Sequence, residues 1–189
     1  MKKMKQVISA LILSVMFSPL SFAKEVAGVK IEDSLNAAGT QLNLNGAGIR
    51  TKWFMDIYVG GLYLPTSDKD AAKIIAADEP QAIKLHMVSG LVTSDKMVAA
   101  TMEGFENATN NNVASIQDEV DAFMGVFKEQ ISENDQFDLV YVPGKGVEVY
   151  KNAELKDTIG DLSFKKALFG IWLSDKPAQE DLKKSMLGG

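Results

Sequence analysis

One segment limits the possible folds more than any other: residues 53–64, WFMDIYVGGLYL, which end at Pro65. It is rich in aromatic and β-branched residues, a composition typical of β-strands. Successive side chains of a strand point to opposite faces of the sheet, and here both alternating sets are largely apolar. The segment is therefore predicted to be a central strand with apolar layers packed on both sides.

The remaining pattern predicts an α+β protein with a large antiparallel sheet. Alternating apolar residues or hairpin signals predict further strands at 40–44, 83–87, 137–142, 147–151 and 155–159. Apolar residues at helical spacing predict helices at 68–77, from Ser94, from Ser115, at 163–173 and at 177–187. The predicted order of elements is strands, a block of helices, a hairpin and then further helices. This order favours a layered α+β fold over alternating βαβ units.

The first 23 residues have the layout of a secretory signal peptide. A basic start, MKKMK, precedes an apolar run at 7–17, and Ser21-Phe22-Ala23 places small residues at the positions of a cleavage site. The run is too short for a transmembrane helix, although an N-terminal anchor is the alternative. We therefore predict a signal peptide at 1–23, a domain at 24–189 and a periplasmic protein without stable membrane insertion after cleavage.

Composition narrows the functional classes. The exported chain would have 166 residues and no cysteine, so its stability must come from its core and not from disulfides. Without Lys2, Lys3 and Lys5, 17 basic residues face 25 acidic ones, a formal charge of −8 that disfavours nucleic-acid binding. His86 is the one histidine of the chain, so His-rich metal sites are excluded, and we expect neither a metal nor a cofactor.

Arg50 is the most informative polar residue. It is the single arginine beside nineteen lysines, and it follows the turn or bulge signal NGAG at 45–48. A guanidinium offers a planar fork of donors that matches a carboxylate at two points and keeps its charge. Arg50 is therefore predicted to close the polar end of an apolar pocket; an internal ion pair with Asp56 or a surface position is the alternative.

The segment GAGIRTKWFMDIYVGGLYL resembles the chalcone isomerase superfamily, especially exported bacterial chalcone isomerase-like proteins. The resemblance continues through AIKLHMVSGLVTSDKM, GFENATNNN, VYVPGKGVEVY and SFKKALFGIWLSDKPAQEDLKKSMLG. It implies a large antiparallel sheet layered with helices and a cleft between them.

In plant chalcone isomerases, an arginine of the matching segment stabilises an oxyanion during ring closure, and Arg50 corresponds to it. The family's strand threonine falls at Tyr58, while its substrate-side tyrosine and asparagine fall near Met97 and Gly104. The latter two supply neither hydroxyl nor amide, which argues against chalcone isomerisation.

The fatty-acid-binding plastid branch pairs the arginine with a tyrosine to hold a carboxylate, and Arg50 and Tyr58 match those residue types. Eight positions on one continuous strand would separate them by about 26 Å. They can converge only if the chain turns or bulges between them, and TKWFMD is a poor turn sequence.

These observations favour a non-catalytic binding protein for a small amphipathic carboxylate such as a fatty acid. Arg50 and Tyr58 would hold the anionic end, and the wall would include Met97, Met102 and Phe105, which are chosen by helical spacing. The alternative is an isomerase or intramolecular lyase that uses Arg50 as the electrophile on an enone. A third interpretation is an envelope interaction protein with a vestigial cleft.

Overall fold

The computed structural model describes residues 24–189, so the predicted signal peptide lies outside the described residues. A small antiparallel pair, β1 (Lys24–Val26) and β2 (Val29–Ile31), precedes a seven-stranded antiparallel sheet. The strands of that sheet lie in chain order: β3 (Ser34–Ala37), β4 (Thr40–Lys52), β5 (Met55–Leu64), β6 (Gln81–Met87), β7 (Gln136–Val142), β8 (Gly146–Lys151) and β9 (Glu154–Ile159).

Five helices accompany the sheet in the part of the chain described. They are α1 (Ala71–Ala76), α2 (Ser94–Ala108), α3 (Gln117–Val126), α4 (Leu162–Leu173) and α5 (Glu180–Met186), and a short 3₁₀ turn, Val113–Ile116, leads into α3. Within residues 24–189 none of the helices combines the length and apolar character needed to cross a bilayer. The predicted α+β architecture with a large antiparallel sheet is confirmed.

Two apolar layers cover the sheet, as the pattern of residues 53–64 predicted. The larger layer joins one face, including Tyr58 and Leu62 of β5, to the helices. The smaller one joins the other face, including Val59 and Tyr63, to the β1–β2 pair. Every residue of β5 from Tyr58 onward is buried, so the strand is enclosed on both sides.

One sequence-based prediction in this region is wrong. Trp53 and Phe54 do not extend the strand; they form a two-residue hairpin turn in which Lys52 pairs with Met55. Trp53 has φ +64°, the left-handed region that glycine normally occupies at the first position of a type II′ turn. The sequence TKWFMD does turn, although its residues do not satisfy the usual turn preferences.

Helix ends differ slightly from the predicted ones. Thr93, not Ser94, caps α2, since its hydroxyl accepts a hydrogen bond from the Lys96 backbone. The helix predicted from Ser115 begins as 3₁₀ and becomes α-helical at Gln117. The last helix begins at Glu180, three residues after Pro177.

The glycines of β4 determine where α5 lies. A Cβ atom built on Gly46 would lie 2.1 Å from the backbone oxygen of Ser185, and one on Gly48 would lie 2.6 Å from the Ser185 Cβ. The absence of side chains at these positions lets the helix backbone rest directly on the strand. The segment that enters α5 is thereby held beside Arg50.

Lys165 on α4 is fully buried, with 0% of its surface exposed. Its Nζ donates to the backbone oxygens of Ile74, Ile75 and Ala77, at 2.8, 3.1 and 3.0 Å. These carbonyls belong to the end of α1, where the helix leaves its acceptors unpaired and its dipole is negative. The ammonium therefore fixes α1 onto α4.

Candidate functional site

A cavity of about 540 Å³ lies between the sheet and the helices. Ligand pockets in proteins usually measure about 300–1,000 Å³. The lining comes from β4, β5, β6, α2, α3, α4 and the residues before α5: Arg50, Lys52, Trp53, Met55, Ile57, Tyr58, Leu85, Leu91, Val92, Lys96, Met97, Ala99, Ala100, Thr101, Glu103, Gly104, Asn107, Phe123, Phe127, Ile171, Trp172, Pro177 and Ala178.

The lining changes character along the cavity. The inner part consists of buried apolar side chains, among them Leu85, Phe123, Phe127 and Ile171. The outer part carries exposed side chains, which we call the mouth and define as Lys52, Trp53, Met55, Leu91, Lys96 and Glu103. An apolar interior with a polar entrance suits an amphipathic ligand.

The β4–β5 hairpin brings Arg50 and Tyr58 together. The two residues are direct cross-strand partners, although eight positions separate them in sequence. A bulge follows this pair, because Thr51 faces Asp56 and leaves Ile57 without a partner. Directly opposed residues on antiparallel strands have Cβ atoms about 5 Å apart, so both side chains can reach one small group.

Arg50 is only partly engaged by the protein. Its Nη1 donates to the Thr51 backbone oxygen at 2.7 Å and to Gln179 Oε1 at 3.1 Å. A guanidinium carries five donors, and within residues 24–189 no carboxylate forms an ion pair with it. The alternative pairing with Asp56 does not occur in this structure, and Arg50 instead lines the cavity.

Gln179 orients the guanidinium. Its Oε1 also accepts a hydrogen bond from the Thr51 backbone N–H at 2.9 Å, and its Nε2 donates to Thr51 Oγ1 at 3.3 Å. The side-chain amide is thus held by three contacts to two consecutive residues of β4. Arg50 is positioned by a neutral acceptor, which leaves its charge uncompensated.

Tyr58 is buried and also faces the cavity. Trp172 Nε1 donates to its hydroxyl oxygen at 2.9 Å, and no acceptor for the hydroxyl hydrogen lies within the described chain. Burial raises the pKa of Tyr58, and the hydrogen bond from Trp172 opposes that rise, as do the charge of Arg50 and a hydrogen bond from its guanidinium. The phenol is therefore protonated at neutral pH and has a hydrogen to donate.

Arg50 and Tyr58 together form a donor pair for an anion. A carboxylate accepts hydrogen bonds at both oxygens, and charge-assisted bonds are roughly twice as strong as neutral ones. Nothing in the lining is suited to holding a metal, since no cluster of three or more His, Asp or Glu side chains occurs in residues 24–189.

The three residues predicted for the apolar wall lie in different places. Met97 lines the cavity, but Met102 packs partly buried against the core and Phe105 lies within it, beside Phe123 and Phe164. The buried residues of α2 that line the cavity are Met97, Thr101 and Gly104, at a spacing of four and three residues, and exposed residues of the helix line it beside them. Phe105 is one position further round the helix, so neither it nor Met102 reaches the wall.

Sequence reasoning missed Trp172 and Gln179. Trp172 lies in a nearly all-apolar helix and has the features of an ordinary core residue, while Gln179 is a polar residue before a short helix. The contact of Trp172 to β5 spans 114 positions, and that of Gln179 to β4 spans 129. No local pattern carries such a signal.

A second cavity of about 310 Å³ lies on the other side of the sheet, beneath β1 and β2. Its lining includes Tyr63, Lys84 and His86. Lys84 pairs with Glu32 and Asp138, and the Tyr63 hydroxyl donates to the Glu32 backbone oxygen. Tyr63 and Lys84 are thus engaged by other groups of the protein.

Comparisons with known proteins agree with this architecture. A family model described as chalcone isomerase-like matches residues 23–188. A solved structure, the fatty-acid binding protein of Arabidopsis thaliana, aligns with TM-score 0.68 and 16% identity over 85% of this chain and 92% of that chain. No curated protein matches the sequence.

Proposed function

The chain belongs to the chalcone isomerase-like family, and we propose that it is a non-catalytic binding protein for a small amphipathic carboxylate such as a fatty acid. One observation carries the proposal: the paired donors of Arg50 and Tyr58 at a cavity whose interior is apolar. The structural similarity to a fatty-acid binding protein supports it at the level of the fold.

The cavity divides the recognition into two parts. Arg50 and Tyr58 would bind the carboxylate, and Met97, Phe123 and Ile171 belong to the apolar surface available to the chain of the acid. Burial contributes about 0.8 kcal/mol per methylene, whereas a hydrogen bond to a charged group contributes about 1.5–3 kcal/mol. The acyl chain therefore supplies most of the affinity, and the donor pair selects the acid over an uncharged ligand.

The basic and apolar start of the chain supports an export signal, and we propose a periplasmic location for the domain. Intact-mass measurement of the protein recovered from the envelope tests this part. A mass that begins at Lys24 supports it, and a retained Ala23–Lys24 bond would exclude it.

The decisive binding experiment compares a fatty acid with the alcohol of the same length, for example dodecanoate and dodecanol, by calorimetric titration. We expect Arg50→Ala to weaken acid binding by about 10- to 100-fold, the equivalent of one charge-assisted contact, and to leave alcohol binding within about threefold. Lys156→Ala, which removes a positive charge from β9 on the opposite edge of the sheet, is the matched control. Equal losses for acid and alcohol in Arg50→Ala would contradict the proposal.

The same donor pair could also stabilise an oxyanion, which is the chemistry of the isomerase alternative. Absorbance of a chalcone in the presence of the protein distinguishes the two functions. Turnover that depends on Arg50 would replace the binding proposal with an enzymatic one.

A further inference from the structure

The exposed apolar side chains of the described chain are concentrated at the mouth of the cavity. Of five large apolar residues exposed in residues 24–189, four lie there or next to it: Trp53 at 84%, Phe54 fully exposed, Met55 at 43% and Leu91 at 63%. The fifth, Leu155, lies on the opposite edge strand, β9. Isolated exposed apolar residues are ordinary, but a cluster beside a ligand entrance indicates an interaction surface.

The turn that holds two of these residues is unfavourable for them. Trp53 occupies a positive-φ position, and a bulky side chain there is a genuine outlier. Glycine at the first position would form such a turn at lower cost. Backbone strain of this kind clusters at functional sites, so the choice of Trp and Phe points to a use for their side chains.

The turn formed by Trp53 and Phe54 is called the β4–β5 tip. We propose that this tip docks the protein on the surface of a lipid bilayer, with both side chains inserted at the level of the headgroups. This inference rests on the proposed binding of an amphipathic acid, because the bilayer is where the acyl chain of such a ligand dissolves. Docking would place the mouth of the cavity against the bilayer. The acid would then pass between bilayer and cavity without exposing its acyl chain to water.

The shape of the tip fits a bilayer better than a protein partner. Two aromatic side chains bury roughly 150–250 Å² each, well below the roughly 800 Å² per partner of a stable protein interface. Aromatic residues are enriched at membrane–water interfaces, where the apolar ring and the polar headgroup region coexist. A narrow convex turn with a ring at each position matches that environment.

The charges at the mouth are compatible with headgroups, although the protein as a whole is acidic. Lys52 and Lys96 border the entrance with Glu103, and Arg50 lies further in. Lysine side chains can extend their charged ends toward phosphates while their stems lie along apolar groups. Because the domain carries a net charge of −8, long-range attraction to anionic lipid is weak, and apolar insertion supplies the binding.

Vesicle flotation tests the proposal with residues 24–189, which contain every helix and strand that the structure describes. The wild type is expected to float with phosphatidylcholine vesicles, with little dependence on salt, and to show quenching of Trp53 by brominated lipid. Phe54→Ser should lower the partition coefficient at least about tenfold, since that factor corresponds to only about 55 Å² of apolar area at about 25 cal/mol per Å². Leu155→Ser, an equal change at the opposite edge, should float like the wild type.

Other occupants of the tip give different results. Failure of the wild type to float, or flotation unaffected by Phe54→Ser, would overturn the proposal. A monomer–dimer equilibrium that Phe54→Ser abolishes, without flotation, would assign the tip to a second copy of the chain and also overturn it.

Titration of dodecanoate in the absence of vesicles separates this inference from the proposed function. Phe54 does not line the cavity, so Phe54→Ser should bind the acid within about threefold of the wild type. Normal acid binding without flotation would reject docking alone. Tip-dependent flotation without acid binding would reject the proposed function. Docking of the tip on the bilayer would then stand without it.

Discussion

Two cations lie on the helical side of the sheet, and their surroundings are opposite. Lys165, between α1 and α4, is fully buried and donates to three backbone oxygens, and its Nζ lies 5.5 and 5.0 Å from the ring centres of Tyr141 and Phe169. Arg50, at the cavity, is half-buried, and its hydrogen bonds run from one nitrogen to two neutral oxygens. All three protons of the ammonium have acceptors, whereas the five donors of the guanidinium are only partly used, by the Thr51 and Gln179 oxygens and by the Tyr58 hydroxyl.

This difference separates a cation that holds the fold together from one that is available to a ligand. Their charge does not distinguish them. The informative quantity is the number of internal acceptors offered to each side chain. At Lys165 the protein supplies an acceptor for every proton of the ammonium. At Arg50 it supplies the Gln179 amide, which orients the guanidinium, and it leaves other donors available to a ligand.

The largest expected effect is on stability at Lys165. Lys165→Ala removes the donor of three backbone oxygens, one buried and two half-buried, and opens a void, and we expect the free energy of unfolding to fall by about 3–5 kcal/mol. Lys166→Ala, at the adjacent exposed position, should change it by less than about 0.5 kcal/mol. Arg50→Ala should remain within about 1 kcal/mol of the wild type in the same urea titrations. A loss at Arg50 as large as that at Lys165 would remove the contrast between the two sites.

A smaller effect concerns the pH dependence of stability. Burial lowers the pKa of Lys165 to about 8, although the nearby charges of Glu79 and Asp78 oppose this change. Between this value and the ordinary lysine value of about 10.4, the unfolded chain binds more protons than the folded one, so stability rises with pH. From pH 7.5 to 9 we expect the free energy of unfolding to increase by about 1 kcal/mol.

Lys165→Met is the control for that measurement, because it retains most of the side-chain volume and cannot titrate. Its unfolding free energy should lack the increase between pH 7.5 and 9. An unchanged slope in Lys165→Met would assign the pH dependence to other groups.

The smallest effect on stability is expected at Gln179, where ligand affinity is the informative measurement. Gln179→Ala should cost less than about 1 kcal/mol of stability and weaken acid binding by about 3- to 10-fold, because the guanidinium loses its orienting contact. Gln179→Glu would provide Arg50 with a carboxylate and should weaken acid binding further, with alcohol binding retained. Acid affinity that is equal in Gln179→Glu and the wild type would show that Arg50 does not contact the ligand.

The architecture was largely predictable from the sequence. Alternating apolar residues identified β6, and the hairpin signal at 143–146 identified β7 and β8, because both patterns are local. Arg50 could also be singled out, since a single guanidinium in a lysine-rich chain suggests a need for its geometry.

The assembly of the site was not predictable in the same way. The sequence-based argument against convergence of Arg50 and Tyr58 relied on ordinary turn preferences, and the Trp53–Phe54 turn violates them. A local rule fails here because the rest of the hairpin, with its long paired strands, determines where the chain reverses. Trp172 and Gln179 arrive from elements more than a hundred positions away, and no periodicity encodes such contacts.

The tight hairpin has a consequence for the entropy of building the polar end of the cavity. Joining Arg50 to Tyr58 closes a segment of eight positions, whereas joining Tyr58 to Trp172 closes 114. Loop-closure entropy grows with the logarithm of length, so the first contact is less costly by about 2 kcal/mol. Insertions or deletions outside residues 50–58 leave that closure unchanged, and the surrounding walls can therefore diverge in length and shape while the Arg50–Tyr58 pair persists.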